Sequence, residues 1–195
     1  MSAAAAPPPG GRPREALNRR ALFVGLILVG TLIFFLGSGL RHDPREVISP
    51  LIGKPAPPFA LADLDGRELR LEQLRGQPVV LNFWATWCVP CAAENPIFAA
   101  MARRYAGRVR FVGVVYQDST DAIRAYERQR GSWGPTLVDP GSQSAIRYGV
   151  YGVPETFLID SRGVIYEKVT GAVTYDGLAR SLDAMLGAGG LEKKL

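Results

Sequence analysis

Apolar positions along this chain form one long uninterrupted block and then a series of short ones. Residues 1–20, MSAAAAPPPGGRPREALNRR, are rich in alanine, proline and glycine and cannot bury a core. The next stretch, ALFVGLILVGTLIFFLGSGL, runs twenty residues from Ala21 to Leu40 without a charge. As a helix rising 1.5 Å per residue it covers about 30 Å, the hydrocarbon thickness of a bilayer. A transmembrane anchor over 21–40 is therefore expected after a short tail, 1–20. A buried core helix is one alternative, although no small domain needs a helix that is apolar all round. A cleaved signal peptide is another, set against the length of the run and the weak processing site at Gly37, Ser38 and Gly39. Residues 41–52 read as a linker and 53–190 as one folded domain, its start bracketed by Pro50 and Pro55.

Short apolar runs separated by turn signals fill that domain. Two short strands are predicted around Asp65-Gly66, a strong turn dipeptide, followed by one helical turn from Leu71 to Leu74. PVVLNFWA, 78–85, is nearly continuous in apolar and β-branched residues, the pattern of a buried strand. A helix should follow from Pro90 to Tyr105, then a second buried strand, VRFVGVVY, at 109–116. Ser119 and Thr120 can cap a helix reaching Arg130. TLVDP, 136–140, reads as a short strand and Ser142 to Tyr148 as a short helix. ETFLID, 155–160, and VIYEKVTG, 164–171, make a hairpin about Ser161-Arg162-Gly163, and Thr174 to Leu186 the last helix. This alternation predicts an α/β domain with helices on both faces of a mixed sheet.

Charge adds a direction. The whole chain of 195 residues carries a formal +5. Ahead of the apolar run, Arg12, Arg14, Arg19 and Arg20 outweigh Glu15 by three; behind it, Arg41 and Arg45 are balanced by Asp43 and Glu46. The positive-inside tendency leaves the tail in the cytoplasm and exports the C-terminal domain. That domain is nearly neutral, and Arg103, Arg104, Arg108 and Arg110 read as the solvated end of a helix, so no nucleic-acid footprint is present. With a single histidine, a histidine-rich metal site within one chain is excluded. Nothing demands a dimer, and a monomer is expected.

The candidate chemistry lies in Trp87-Cys88-Val89-Pro90-Cys91, which holds both cysteines of the chain. A C-x-x-C pair can be half of a zinc site, but the domain offers no second pair of Cys or His ligands, so zinc would have to bridge two chains. Two inert core cysteines would be the plain alternative. Redox work has a specific physical case. Placed directly after a buried strand, Cys88 sits at a helix N-terminus, where free N–H groups and the helix dipole stabilise a thiolate. Cys91 lies one turn further in, less exposed but within bridging distance. Cys88 can attack a client disulfide and Cys91 can resolve the mixed disulfide. Trp87 offers an apolar wall beside the attacking sulfur or else plain core packing. Pro90 stiffens the loop, and Pro96 should kink the helix.

NFWATWCVPC, 82–91, with Pro96 five residues beyond Cys91, resembles the active-site stretch of the thioredoxin fold. YGVYGVPETFLIDSRGVIYEKVTG, 148–171, narrows the resemblance to the membrane-anchored thiol:disulfide interchange proteins of cytochrome c maturation, the DsbE/CcmG type. The TlpA-like proteins and the anchored extracytoplasmic reductases of Gram-positive bacteria are close relatives. The likeness spans roughly residues 47–187 and implies a thioredoxin-like α/β fold with a mixed central sheet flanked by helices. It implies that Cys88 and Cys91 are the redox pair, serving in place of any separate cofactor, and that Pro154, with Val153 before it, is the cis-proline facing them. From composition alone Pro154 could simply start a strand. Glu155 matches an acidic residue of the cytochrome-maturation branch and, if near the sulfurs, would raise their pKa values.

Glu94, three residues after Cys91, shares that side of the helix and could accept the proton of Cys91, or could be an ordinary solvated acid. General thioredoxins usually carry a buried Asp where this chain has Asn82, and Asn cannot take that proton. The segment 133–150, with Trp133-Gly134, Asp139-Pro140 and Tyr148, is followed by Tyr151; these residues could line a groove or fill a core. The resemblance implies a reductant acting on the haem-binding disulfide of apocytochrome c or on a maturation factor, recharged by a membrane thiol-transfer protein. Rival functions are a general anchored reductase, a disulfide-forming oxidase, a peroxide-reducing enzyme, and a non-catalytic apocytochrome or haem chaperone. The implied location is a bacterial inner membrane with the C-terminal domain in the periplasm.

Overall fold

The structure, a computed structural model, describes residues 13–39 and 49–192. Residues 1–12 of the expected tail and 41–48 of the expected linker lie outside the described residues. The chain divides into two compact units, Met1–Glu46 and Val47–Leu195. In the first, helix α1 spans Pro13–Gly39 and begins ahead of the apolar run. Its stretch Ala21–Ser38 has a mean hydropathy of 2.4 and is exposed throughout; among the described residues it alone is long and apolar enough to cross a membrane.

In the second unit, β1 (Ala60–Asp63) and β2 (Glu68–Arg70) form the hairpin predicted at Asp65-Gly66, with Gly66 at a φ of 82°. A 3-10 turn, Leu71–Leu74, leads to β3 (Val79–Trp84), all six residues of which are buried. Then come α2 (Val89–Arg104), β4 (Arg110–Val115), α3 (Thr120–Arg130) and β5 (Thr136–Val138). Helix α4 (Gln143–Arg147), the hairpin β6 (Glu155–Ile159) and β7 (Ile165–Thr170), and α5 (Tyr175–Glu192) complete the unit. The seven strands lie in the order β2-β1-β5-β4-β3-β6-β7. β3, β4 and β5 are parallel neighbours, whereas β1 and β6 join this group antiparallel.

Both parallel crossovers step the same way across the sheet. Right-handed crossovers therefore put α2 and α3 on one face. On that face Val80 and Leu158 pack with Phe98 and Met101 of α2, with Tyr105 that caps its C-terminus and with Leu182 of α5, while Ile123 of α3 meets Trp84 and Val115. The other face, Val79, Leu81, Phe83, Phe157 and Ile159, is covered by Leu71 and Leu74 of the 3-10 turn and by Ala145 and Tyr148. Helices thus flank a mixed sheet on both faces, as expected.

Two boundaries differ from expectation. β5 stops at Val138 because Asp139 leaves the sheet and turns its carboxylate to the α4 N-terminus, accepting from the N–H of Ser144 (2.9 Å) and Ala145 (3.0 Å). α5 continues past Leu186 to Glu192, through glycines that lower helix propensity by about 1 kcal/mol each without forbidding the helix. Of the two tyrosines, Tyr148 fills the core and Tyr151 does not. Tyr148 is wholly buried against Phe83 (5.5 Å) and Phe157 (5.1 Å), whereas Tyr151 is 85% exposed.

Candidate active site

β3 ends by delivering a short loop to the start of α2. Asp118, just beyond β4, holds that loop: its Oδ2 accepts from the backbone N–H (2.7 Å) and the hydroxyl (2.6 Å) of Thr86. The Ala85 carbonyl accepts from the Cys88 N–H. Cys88 is the N-cap of α2, and its sulfur accepts the Cys91 N–H at 3.1 Å. This N–H is one of the free donors of the first turn, and it would favour a thiolate once the pair is reduced. The two cysteines are joined as a disulfide. Each is 4% exposed, so in this oxidised state the expected difference in exposure between them is absent. Their cover comes from Trp84, Ala85, Val115, Ile123 and, from the loop before β6, Val153.

Trp87 is not core packing. The side chain is 58% exposed, its indole N–H donates to the Gln117 carbonyl at 3.1 Å, and it stays outside the apolar cluster on the sulfurs. Gln117 adopts a φ of 47° to present that carbonyl. Pro90 is exposed in the first turn of α2, where a missing N–H costs nothing. α2 continues through Pro96 to Arg104. Pro154 is buried, its bond to Val153 is cis, and its carbonyl accepts from the Gly171 N–H at 2.9 Å.

The two acidic residues lie on opposite faces of the sheet. Glu94, on α2, is 2% exposed, which removes the reading as a solvated surface acid. One carboxylate oxygen accepts from the Asn82 side-chain amide (3.3 Å) and the other from the Val173 N–H (3.0 Å). The Asn82 amide also donates to the Thr156 hydroxyl at 3.0 Å. Burial pushes the Glu94 pKa up to about 7, against the opposing pull of the Val173 and Asn82 hydrogen bonds. Glu155 pairs with Phe83 across β3 and β6, one register position from the Thr156–Asn82 pair, so it points away from α2. There its carboxylate lies 2.8 Å from the Lys168 ammonium.

Comparison with known proteins identifies the arrangement. Residues 52–168 match the AhpC/TSA family. The chain is 37% identical over 160 residues to the thiol:disulfide interchange protein DsbE of Allochromatium vinosum, covering 80% of this chain and 86% of that protein. It is 36% identical over 154 residues to the thiol-disulfide oxidoreductase ResA of Bacillus thuringiensis, covering 78% and 87%. A crystal structure of a DsbE-type thiol:disulfide interchange protein from Chlorobium tepidum superposes with a TM-score of 0.65 at 32% identity, over 69% of this chain and 97% of that one.

The chain belongs to the DsbE/ResA-like thioredoxin-fold thiol:disulfide oxidoreductases. The redox centre of this DsbE/ResA-like protein is the Cys88–Cys91 pair itself, and among the described residues no group of His, Cys, Asp and Glu is placed to hold a metal ion. Four residues around the site carried no legible signal in the sequence. Asp118 precedes the helix cap Ser119 and reads as an ordinary turn residue. Thr156 and Lys168 lie inside the 148–171 run but nothing there marks them out individually, and Val173 contributes only its backbone N–H.

Proposed function

We propose that this DsbE/ResA-like oxidoreductase is a membrane-anchored reductant that opens the disulfide of the apocytochrome c haem-binding site, or of a maturation factor, before haem attachment. The reading takes α1 as the anchor over 21–40, with 1–20 cytoplasmic, 41–52 as tether and 53–190 in the periplasm. The observation that carries the mechanism is the buried Glu94 carboxyl, balanced near neutrality by burial and three residues from Cys91. A group so poised can take a proton at working pH.

In the proposed cycle the Cys88 thiolate attacks one sulfur of the client disulfide, and the client's second sulfur leaves as a thiolate. Glu94 accepts the proton of Cys91. The Cys91 thiolate then attacks the Cys88 sulfur, expelling the client's first sulfur. Two electrons pass to the client, and the protein is left in the disulfide state of this structure. A membrane thiol-transfer protein returns the electrons by the same exchange. Val153 and Pro154 offer backbone for pairing with the client, the exposed Trp87 and Pro90 shape the rim of the site, and Glu155, on the far face of the sheet, holds the loop ahead of Val153. The GVPETFLID run and the likeness to DsbE proteins support the cytochrome c client.

Trapping tests this reading. With Cys91→Ser the first attack proceeds and resolution stops, so clients accumulate as mixed disulfides on Cys88. Apocytochrome c or a maturation factor should dominate the catch in cells. A catch of unrelated exported proteins would remove the specific client and leave a general anchored reductase.

A further inference from the structure

The loop between α4 and β6 packs Val153 against the apolar cluster that holds the cysteines and ends in the cis bond to Pro154, yet residues 149–154 have no helix or strand of their own. The buried pair on the far face of the sheet supplies what holds them. Lys168 stands opposite Phe157 in the β6–β7 register, which puts its ammonium on the same face as Glu155, one diagonal step away. The Lys168 and Glu155 side chains are only 7% and 2% exposed. Neither is satisfied by the other alone. The Lys168 ammonium donates to the Gly149 carbonyl at 2.9 Å, and the Tyr151 N–H donates to the Glu155 carboxylate at 3.2 Å. The same ammonium lies 5.4 Å from the centre of the Tyr151 ring. One ion pair therefore grips the loop at two backbone points, just ahead of Val153, which packs against the cluster holding the redox pair.

Replacing a buried ion pair by well-packed apolar groups is often neutral or stabilising, so stability alone is a poor account of its presence. We infer that Lys168 is a positioning residue for substrate: through Gly149 and through Glu155 it sets the loop whose Val153–Pro154 backbone a client peptide must meet. This rests on the proposed role of that loop in client binding. A small disulfide needs only the sulfurs, whereas a peptide disulfide also needs the loop in register. Loss of Lys168 should thus act on peptide recognition, with Glu155 serving the loop rather than the thiols.

The test uses the full chain in detergent, with Lys168→Met, Lys168→Arg and the paired E155Q/K168M variant. Each is assayed on a disulfide-bonded Cys-x-x-Cys-His peptide, on an unrelated disulfide peptide, and on 5,5′-dithiobis(2-nitrobenzoate). Losing hydrogen bonds to a charged group should lower peptide kcat/KM relative to the small disulfide by about tenfold, mainly through KM. Lys168→Arg should recover part of it by restoring a donor. The paired variant buries no unpaired charge, so it keeps the test open if Lys168→Met fails to fold. An equal loss on all three disulfides, or an unchanged peptide KM in the paired variant, overturns the inference. If the wild type prefers the unrelated peptide, the cytochrome client falls while the positioning role is still read on the peptide that is reduced.

Discussion

Glu94→Gln tests whether burial really holds this carboxyl near neutrality. The group is 2% exposed, and its pKa moves from the ordinary 4.5 to about 7. That gap corresponds to about 3 kcal/mol between the protonated and ionised forms in the fold. Because the folded value is raised, Glu94 contributes its full stability below the ordinary pKa and loses it as the pH rises through about 7. Glutamine cannot ionise, so it removes this slope. It also keeps one carbonyl acceptor where two carboxylate oxygens served Asn82 and Val173, which adds an offset independent of pH. The observable is the difference in Tm between Glu94→Gln and wild type, both oxidised so that no thiol titrates. Between pH 5 and pH 8 about 2.5 kcal/mol of this is expressed, so that difference should shift in favour of the variant by roughly 5–10 °C, taking about 2–4 °C per kcal/mol for a domain of this size. In parallel, release of a client from its mixed disulfide should slow by about 10²–10⁴-fold in the variant above neutral pH, the usual contribution of a positioned base. A Tm difference that stays constant from pH 5 to 8 would refute the argument, since the carboxyl would then titrate as in a peptide.

Asp118→Ala removes three short hydrogen bonds, from the Thr86 N–H and hydroxyl and from the Ser119 N–H, and should cost about 1–3 kcal/mol in thermal unfolding. The reduced variant should also show altered alkylation of Cys88, because the loop ahead of it is no longer tied. Gly113→Ala and Gly134→Ala should differ in severity. A methyl at Gly113 would meet the Trp84 indole at 2.7 Å and Trp133 at 3.2 Å, side chains that can shift for about 1–3 kcal/mol. At Gly134 it would collide with the Phe111 carbonyl oxygen, a backbone atom with nowhere to go. Urea titrations should rank Gly134→Ala as clearly the more damaging, and equal effects would contradict the packing described.

The strands and helices of the domain were legible because each carries a burial pattern with its own period, and the redox pair because a C-x-x-C directly after a buried strand lands on a helix start. What the sequence hid was which face a residue takes. β3 and β6 are buried on both sides, so the alternation that marks an outward face is missing from VVLNFW and ETFLI. Glu155 and Thr156 look equivalent in such a run. One residue of register sends Glu155 to Lys168 and Thr156 to Asn82, on opposite sides of the sheet. Asp118 was hidden for a different reason: its partner, Thr86, is 32 residues away, and only the parallel pairing of β3 and β4 brings the two loops together.

That difference of face decides which acid can handle protons in the proposed cycle. Glu155 lies 2.8 Å from the Lys168 ammonium, on the face of the sheet away from α2 and Cys91. Glu94 has only two neutral N–H donors, from Asn82 and Val173, and those offset part of the burial penalty without cancelling it. Glu94 therefore lies close to balance between its two forms, on the helix that bears Cys91. Asn82 completes the logic. A second carboxylate on β3, where general thioredoxins usually place theirs, would stand next to Glu94, and two like charges at that separation in a buried site cannot both ionise. An amide there donates instead of competing. In the proposed cycle the proton-accepting group thus lies on the helix that bears Cys91 rather than on the central strand, and the strand position is one of its two hydrogen-bond donors.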